Sequence, residues 1–391
     1  MRTPEWVLAV SVGLVFYAYL GYPLLLWLVS RVRKARPAPV TRTAWPTVSI
    51  TIPVYNEAAI IGDTLERVLA VDYPPEQRQI LVVSDASTDR TDEIVRGFAA
   101  RGVELLRLPV RGGKTAAENA ARPCLHGEII VNTDASIVID PQALKALIAH
   151  FDDASVGLAS GRDISVPHPG ESMNVGESHY VGYEMGIRAL ETRVSGIVGA
   201  SGCLYAIRSR LHMTPLPEVV SRDFAAALVA REGGYRAVSV ADARCYVPRA
   251  VSLRREYRRK VRTMVRGLKT LVHKRRLLNP FRYGAFAWML FSHKLCRWLV
   301  PWALVGATAA LVALAPGAVW PRWTLVVGGV GCLAGVLGWL WPEGRRPPRV
   351  LSLPAFVVVS NVAALHAWIN LWRGELNPIW EPTRRRPAPM P

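Results

Sequence analysis

Runs of apolar residues divide the chain into stretches of two kinds. Residues 6–29 are apolar and uncharged, long enough to cross a bilayer as a single helix. Three further runs, 299–315, 323–341 and 350–372, predict spans of the same sort, the last interrupted by Asn361, His366 and Asn370. Between these ends, residues 47–250 alternate short apolar runs with stretches of helical period. Residues 48–54, 80–84, 103–108 and 128–132 read as strands. Helices are predicted over 58–70, from Thr88, and over 115–125 behind the turn Arg111-Gly112-Gly113-Lys114. This βαβ alternation predicts an α/β domain in which those strands form a parallel sheet.

The pattern yields an anchor over 1–30, a basic Pro-rich linker over 31–46, the α/β domain over 47–250, and basic amphipathic or interfacial helices over 251–298. The C-terminal spans follow over 299–373, with a tail over 374–391. Charge sharpens this picture. With 48 Lys and Arg against 30 Asp and Glu, the formal net charge of +18 calls for an anionic partner. The apolar runs select membrane headgroups over nucleic acid, and the run Arg31, Arg33, Lys34, Arg36 directly after the first span places that side in the cytoplasm. The three arginines of 343–349 belong on the same side. With four spans the basic tail Arg384 to Arg386 would then end outside, unless the last segment lies in the interface. No cleaved-signal pattern precedes the first span. The five cysteines and eight histidines lack metal-ligand spacing.

Chemistry concentrates where strands end. The stretch from Val82 to Val95 closes a strand with three aspartates, of which Asp89 and Asp92 suit the opening of a helix. Asp85 precedes that helix, at the carboxyl edge of the sheet, where ligands of open α/β sheets bind. The ends at Tyr55-Asn56-Glu57, Asp85 and Asp134 all emerge on this edge.

The ordered set Pro53-Val54-Tyr55-Asn56-Glu57, Asp85 to Asp89, Gly112-Gly113-Lys114, Asp134-Ala135-Ser136 with Pro141, Gly199 to Gly202 and Ser221-Arg222-Asp223-Phe224 resembles the membrane-integrated family-2 glycosyltransferases. That family includes bacterial chitooligosaccharide, hyaluronan and cellulose synthases. The N-terminal Tyr19-Leu20-Gly21-Tyr22-Pro23 and the later spans extend the resemblance over essentially the whole chain. It implies a GT-A (Rossmann-like) domain facing the cytoplasm of a bacterial inner membrane, and an inverting transfer from a nucleotide sugar, UDP-linked in many relatives.

The resemblance implies roles for individual residues. Pro53, Tyr55, Asn56, Glu57 and Asp85 would hold the nucleoside, and Lys114 the diphosphate. Asp134 would hold a divalent cation, Mg2+ or Mn2+, with Ser136 standing where the family's second acid stands. Ser201, Gly202 and Cys203 would form the loop around donor sugar and acceptor. Asp223 would be the general base, beside Arg222 where relatives often carry another acid, and Arg262 would meet the pyrophosphate. Thr263 replaces the tryptophan of the Gln-x-x-Arg-Trp signature, which argues against processive synthesis.

Blander readings stand beside these: a surface lysine at 114, a turn-capping Asp134, a helix-capping Asp223, and headgroup contact for the run 254–266. The expected activity is sugar transfer to a lipid-linked or growing cell-surface glycan. Alternatives are a processive, exporting polysaccharide synthase and a non-catalytic nucleotide-binding membrane scaffold.

Overall fold

All seven residues of strand β1 (Val48–Val54) are buried, because helices cover both faces of the sheet there. In the computed structural model, which describes residues 3–33, 44–166, 175–248, 253–342 and 348–375, β1 lies inside an eight-stranded sheet. The other strands are β2 (Arg78–Ser84), β3 (Val103–Arg107), β4 (Ile129–Thr133), β5 (Val138–Ile139), β6 (Val156–Val166), β7 (Leu204–Arg208) and β8 (Arg236–Pro248). Their order is β3-β2-β1-β4-β7-β6-β8-β5. The first four strands of the chain are mutually parallel, as their alternation with helices predicts. β7 runs antiparallel to both β4 and β6, and β5 antiparallel to β8, so the complete sheet is mixed.

Alternate residues feed two apolar layers. Ile50, Ile52 and Val54 pack with Ile61 and Leu65, whereas Leu81, Val83 and Ile130 pack with Ala117, Ala121 and Ala225. The helices in chain order are α1 (Thr3–Val32), α2 (Ile61–Leu69), α3 (Thr91–Arg96), α4 (Lys114–Ala121), α5 (Ala143–Ala149), α6 (Val175–Val194), α7 (Ser209–His212), α8 (Arg222–Glu232), α9 (Leu253–His273), α10 (Ala285–Leu314), α11 (Val319–Trp339) and α12 (Arg349–Arg373). Helix α3 opens at Thr91, three residues after the expected start at Thr88, because the intervening residues are tied to the end of β1.

Helices α1, α10, α11 and α12 are long and apolar enough to cross a membrane. α10 begins before the apolar run at 299 does, since Ser292, His293 and Arg297 turn inward and interrupt the hydropathy without ending the helix. Both α1 and α10 contain a π-helical turn, Tyr17–Gly21 and Phe291–Cys296. One apolar cluster joins Tyr22 and Leu26 of α1, Ile187 and Val194 of α6, Phe224 and Leu228 of α8, and Phe286 and Met289 of α10. The apolar helices thereby rest directly on the sheet domain. The amphipathic helix α9 packs Val261, Val265 and Leu268 against Ala363 and Ala367 of α12. Of the expected linker only residues 31–33, where α1 ends, and 44–46 are described, and most of the loop 343–349 and of the tail lies outside the described residues.

Candidate active site

The acids at the end of β2 are divided between scaffold and site. Asn56 adopts a left-handed φ of 52° and receives the Thr88 N–H on its Oδ1 at 2.7 Å. Asp89 accepts from Thr91 N at 3.0 Å and from Ala58 N at 3.1 Å, so it joins the ends of β1 and β2. Burial alone would raise the Asp89 carboxyl; the hydrogen bonds from Thr91 and Ala58 outweigh it and hold the group below the usual carboxylate range. Asp92 is paired with Arg107. Thus Asp89 and Asp92 do structural work, as their positions at the start of a helix suggested.

Asp85 is buried, with its backbone N–H held by Val54 O at 2.9 Å. Its two carboxylate oxygens accept from Gly112 N at 2.7 Å and Gly113 N at 2.8 Å. Gly113 has a φ of 87°, a backbone suited to glycine, and stands immediately before α4. The carboxylate therefore holds the turn that presents Lys114, and retains two lone-pair sites for a ligand. Arg111, from the same turn, lies over the Tyr55 ring with 3.7 Å between guanidinium carbon and ring centroid. This pair walls the place expected for a nucleoside.

From that turn Lys114 reaches across the sheet edge. Its Nζ donates to Asp134 Oδ1 at 2.5 Å and to the Gly202 carbonyl at 3.2 Å. Burial would lower the lysine; the carboxylates of Asp134, Glu118 and Asp223 outweigh it and hold the group above its usual value. Asp223, in the first turn of α8, accepts from Phe224 N at 2.8 Å and from the Ser221 hydroxyl, both on Oδ1. Its Oδ2 lies against Gly202, where a Cβ would approach to 2.6 Å, so this loop position admits only glycine without displacing the carboxylate. Lys114, Asp134, Gly202 and Asp223 form one contiguous group.

The same loop carries Ser201, whose Oγ donates to Asp163 Oδ1 at 2.6 Å and accepts from Cys203 N at 3.1 Å. Cys203 O receives the Thr133 hydroxyl at 2.9 Å, which ties the loop to the end of β4. Asp163, on β6, had no motif to mark it.

Arg222, standing in place of the second acid, is committed to the scaffold. It is buried beneath the site, 3.1 Å from Glu118, and donates to Asn119 Oδ1 at 2.7 Å and His212 O at 3.0 Å. It pins α8 to α4 and α7. On α9 the arginine that reaches the site is Arg266, which donates to Thr115 Oγ1 at 2.5 Å and Val220 O at 2.7 Å. Burial lowers its affinity for a proton, while Asp223 and Glu118 act in the opposite sense. Arg262 lies half-buried one turn earlier on the same helix, and Thr263 beside it is exposed. Nothing in the run of arginines distinguished Arg266; its signal was only the spacing of one helical turn from Arg262.

Among the described residues no three His, Cys, Asp or Glu side chains converge as a metal cage. Asp134 and the half-buried Ser136 stand on one turn, closed by Ile137 N bonding Asp134 O at 3.2 Å. One carboxylate and one hydroxyl form a hard-oxygen donor set. It fits Mg2+ or Mn2+ arriving with phosphate oxygens and waters, since such ions commonly take only one or two protein carboxylates in phosphate sites.

Residues 49–203 match the family model described as Glycosyl transferase family 2. The chain carries a family-2 glycosyltransferase domain. That domain ends beyond the loop at Gly202 and takes in Asp85, Lys114 and Asp134. Among curated proteins, an N-acetylglucosaminyltransferase of Mesorhizobium japonicum is 31% identical over 131 residues, 32% of this chain and 30% of its own length. A probable glycosyltransferase, YdaM, of Bacillus subtilis is 31% identical over 30% of this chain and 29% of its own. A beta-monoglucosyldiacylglycerol synthase of Synechocystis is 27% identical over 29% and 24% respectively. The chain thus spans under a third of the length of these relatives. A solved mannosyltransferase, PcManGT from Pyrobaculum calidifontis, in complex with GDP-Man and Mn2+, is similar over far more. At 25% identity and a TM-score of 0.70, the likeness covers 94% of this chain and 99% of that one. It therefore extends past the family-2 domain into the apolar helices.

Proposed function

We propose that the protein is a membrane-integrated, metal-dependent, inverting glycosyltransferase. It transfers a sugar from a nucleotide-sugar donor to a lipid-linked or growing glycan on the cytoplasmic face of a cell membrane. The observation that carries the reading is the group Lys114, Asp134, Gly202 and Asp223, in which a lysine and its partner carboxylate lie one loop residue from a second carboxylate with an uncommitted oxygen.

In this reading the nucleoside lies along Tyr55, Asn56 and Glu57, beside Asp85. The diphosphate meets Lys114 and Arg266, with Arg262 one turn away on α9. Asp134 and Ser136 would hold a divalent cation, which would supply charge neutralisation to the diphosphate. When the donor binds, Lys114 exchanges part of its contact with Asp134 for phosphate oxygens. Asp223 Oδ2 takes the proton of the attacking hydroxyl, while Oδ1 stays fixed by Phe224 N. Ser201, Gly202 and Cys203 line the space between the reacting groups, and Ser201 is steadied by Asp163.

Non-processive addition is the favoured mode, since exposed Thr263 offers no aromatic platform to retain a growing chain. The test is purified protein in lipid with a panel of UDP- and GDP-sugars, reading nucleotide release and label in lipid. Donor-dependent labelling that chelation suppresses and Mn2+ or Mg2+ restores is the expected result. Labelling indifferent to chelation would remove the metal from the mechanism, and no labelling with any donor would defeat the reading.

A further inference from the structure

Two cations flank the catalytic loop with few hydrogen-bond partners. The Arg188 side chain, on α6, donates from Nη2 to Ala200 O at a long 3.4 Å, while its Nε and Nη1 are buried with no hydrogen-bond partner. Lys294 belongs to the π-helical turn of α10. Its ammonium makes no hydrogen bond to any described residue; its contact is with the face of Phe224, 5.6 Å from the ring centroid. A Cβ on Gly199 would stand 3.5 Å from Lys294 Cε and 3.8 Å from its Nζ. Both cations therefore flank the loop 199–202, and Arg188 is near enough to Lys294 to repel it.

The acids nearby are already engaged. Glu191 accepts from Tyr22 at 2.6 Å and lies 2.6 Å from His293 Nδ1. Glu184 lies 3.0 Å from His293 Nε2 and pairs with Arg297. Lys294 lies within electrostatic reach of both carboxylates but hydrogen-bonds to neither, and Arg188 stands near it with two guanidinium nitrogens unsatisfied. Buried polar groups in folded proteins are almost always satisfied, and an unpaired buried charge is costly. Such a pair is retained where a ligand completes it.

We propose that Arg188 and Lys294 bind the phosphate of a lipid-linked acceptor. Phosphate is the anion suited to a planar guanidinium beside a point charge. Its source follows from position. The donor's diphosphate belongs to Lys114, on the far side of Gly202, whereas Lys294 sits on a helix that continues into the membrane and touches Phe224, the neighbour of the base. A phosphate held there places the next sugar unit of a lipid-linked acceptor towards Asp223, with its lipid along α10. This inference rests on the glycosyltransferase reading given above.

The test uses the full chain in detergent micelles with farnesyl phosphate and farnesol as probes, and GDP and UDP as donor-side controls. Farnesyl phosphate should raise the melting temperature of the parent and farnesol should not. Lys294→Met and Arg188→Met should each weaken farnesyl phosphate binding by about tenfold or more, as for loss of a charge-assisted phosphate contact. Lys294→Arg should retain it, and nucleotide affinity should hold in all three. Melting temperatures without ligand are read for every variant, and Lys294→Arg, which keeps the charge, separates a lost phosphate contact from misfolding. The proposal is overturned if Lys294→Met binds farnesyl phosphate as well as the parent, or if the parent does not distinguish phosphate from alcohol. Nucleotide affinity falling in step would also overturn it, by giving the cations to the donor. Failure to bind any nucleotide would strike the wider reading instead.

Discussion

At the scale of single residues, the proposed mechanism divides the two oxygens of Asp223 between holding and reacting. Oδ1 is fixed by Phe224 N and the Ser221 hydroxyl, and Oδ2 faces the loop. Asn at this position keeps the fixed contact with Phe224 and loses the basicity. Asp223→Asn should therefore lower the transfer rate by about 10²–10⁴-fold, the usual worth of a positioned base, with nucleotide affinity unchanged. Initial rates and calorimetry decide it; a variant transferring at nearly the parent rate leaves Asp223 only as a helix cap. The sequence placed Asp223 in the first turn of a helix; only the fold brings its Oδ2 against Gly202. Arg266 was not legible, since one arginine in a run of like charges gains its role only when α9 crosses α4. Arg188 and Lys294 lie over a hundred residues apart in sequence and share no motif.

At the scale of elements, the base is held by a buried platform rather than by its own helix. Arg222 connects α8 to Glu118 of α4 and to His212 of α7, and removing one member of such a pair costs about 3–5 kcal/mol. His212 Nε2 lies 3.3 Å from Arg222 Nη2, which has only protons to give, so the ring must accept there and stay neutral. Burial first, then Arg222 and Arg122, hold the imidazole well below its usual 6.5. The unfolded chain takes up a proton below 6.5 that the native state refuses. This contribution to stability is complete above that pH and is lost as pH falls, by up to about 1.4 kcal/mol per unit until the native value is reached. His212→Gln, still an acceptor for Arg222, should lose less stability between pH 7 and 5 than the parent in thermal melts. Equal acid sensitivity would acquit His212. The central strands were legible almost to the residue because continuous burial leaves an uninterrupted apolar run. Helix starts were displaced wherever side chains, such as Asp89, bind the preceding loop instead of the helix. The start of α10 was hidden because its polar side chains face protein.

At the scale of the whole molecule, the sheet domain and the apolar helices share a packed cluster, so the site is built where the two meet. The four apolar helices were legible from hydropathy; the docking of α1 and α10 on α6 and α8 was not, because it involves the buried Glu184, Glu191 and His293, which no periodicity predicts. With Thr263 exposed and no indole beside Arg262, the assembled enzyme should release its product after one or a few additions. Chromatography of products at limiting enzyme checks this. Long chains formed while most acceptor remains unused would restore the processive alternative.

The paired π-turns of α1 and α10 carry a consequence for anyone recombining this chain with its relatives. They meet each other, with Tyr17 and Ser292 hydroxyls 2.6 Å apart and Trp288 Nε1 donating to Tyr17 at 2.9 Å. Each turn holds one residue more than an ordinary helical turn, and one residue corresponds to about 100° of rotation. The extra residue is absorbed within Phe291–Cys296, so the stretches before and after it keep their faces; deleting one residue there would narrow the turn that brings Ser292 to Tyr17. The two bulges bear on each other, so a graft that replaces one helix without the other should lose the Tyr17 contacts with Ser292 and Trp288.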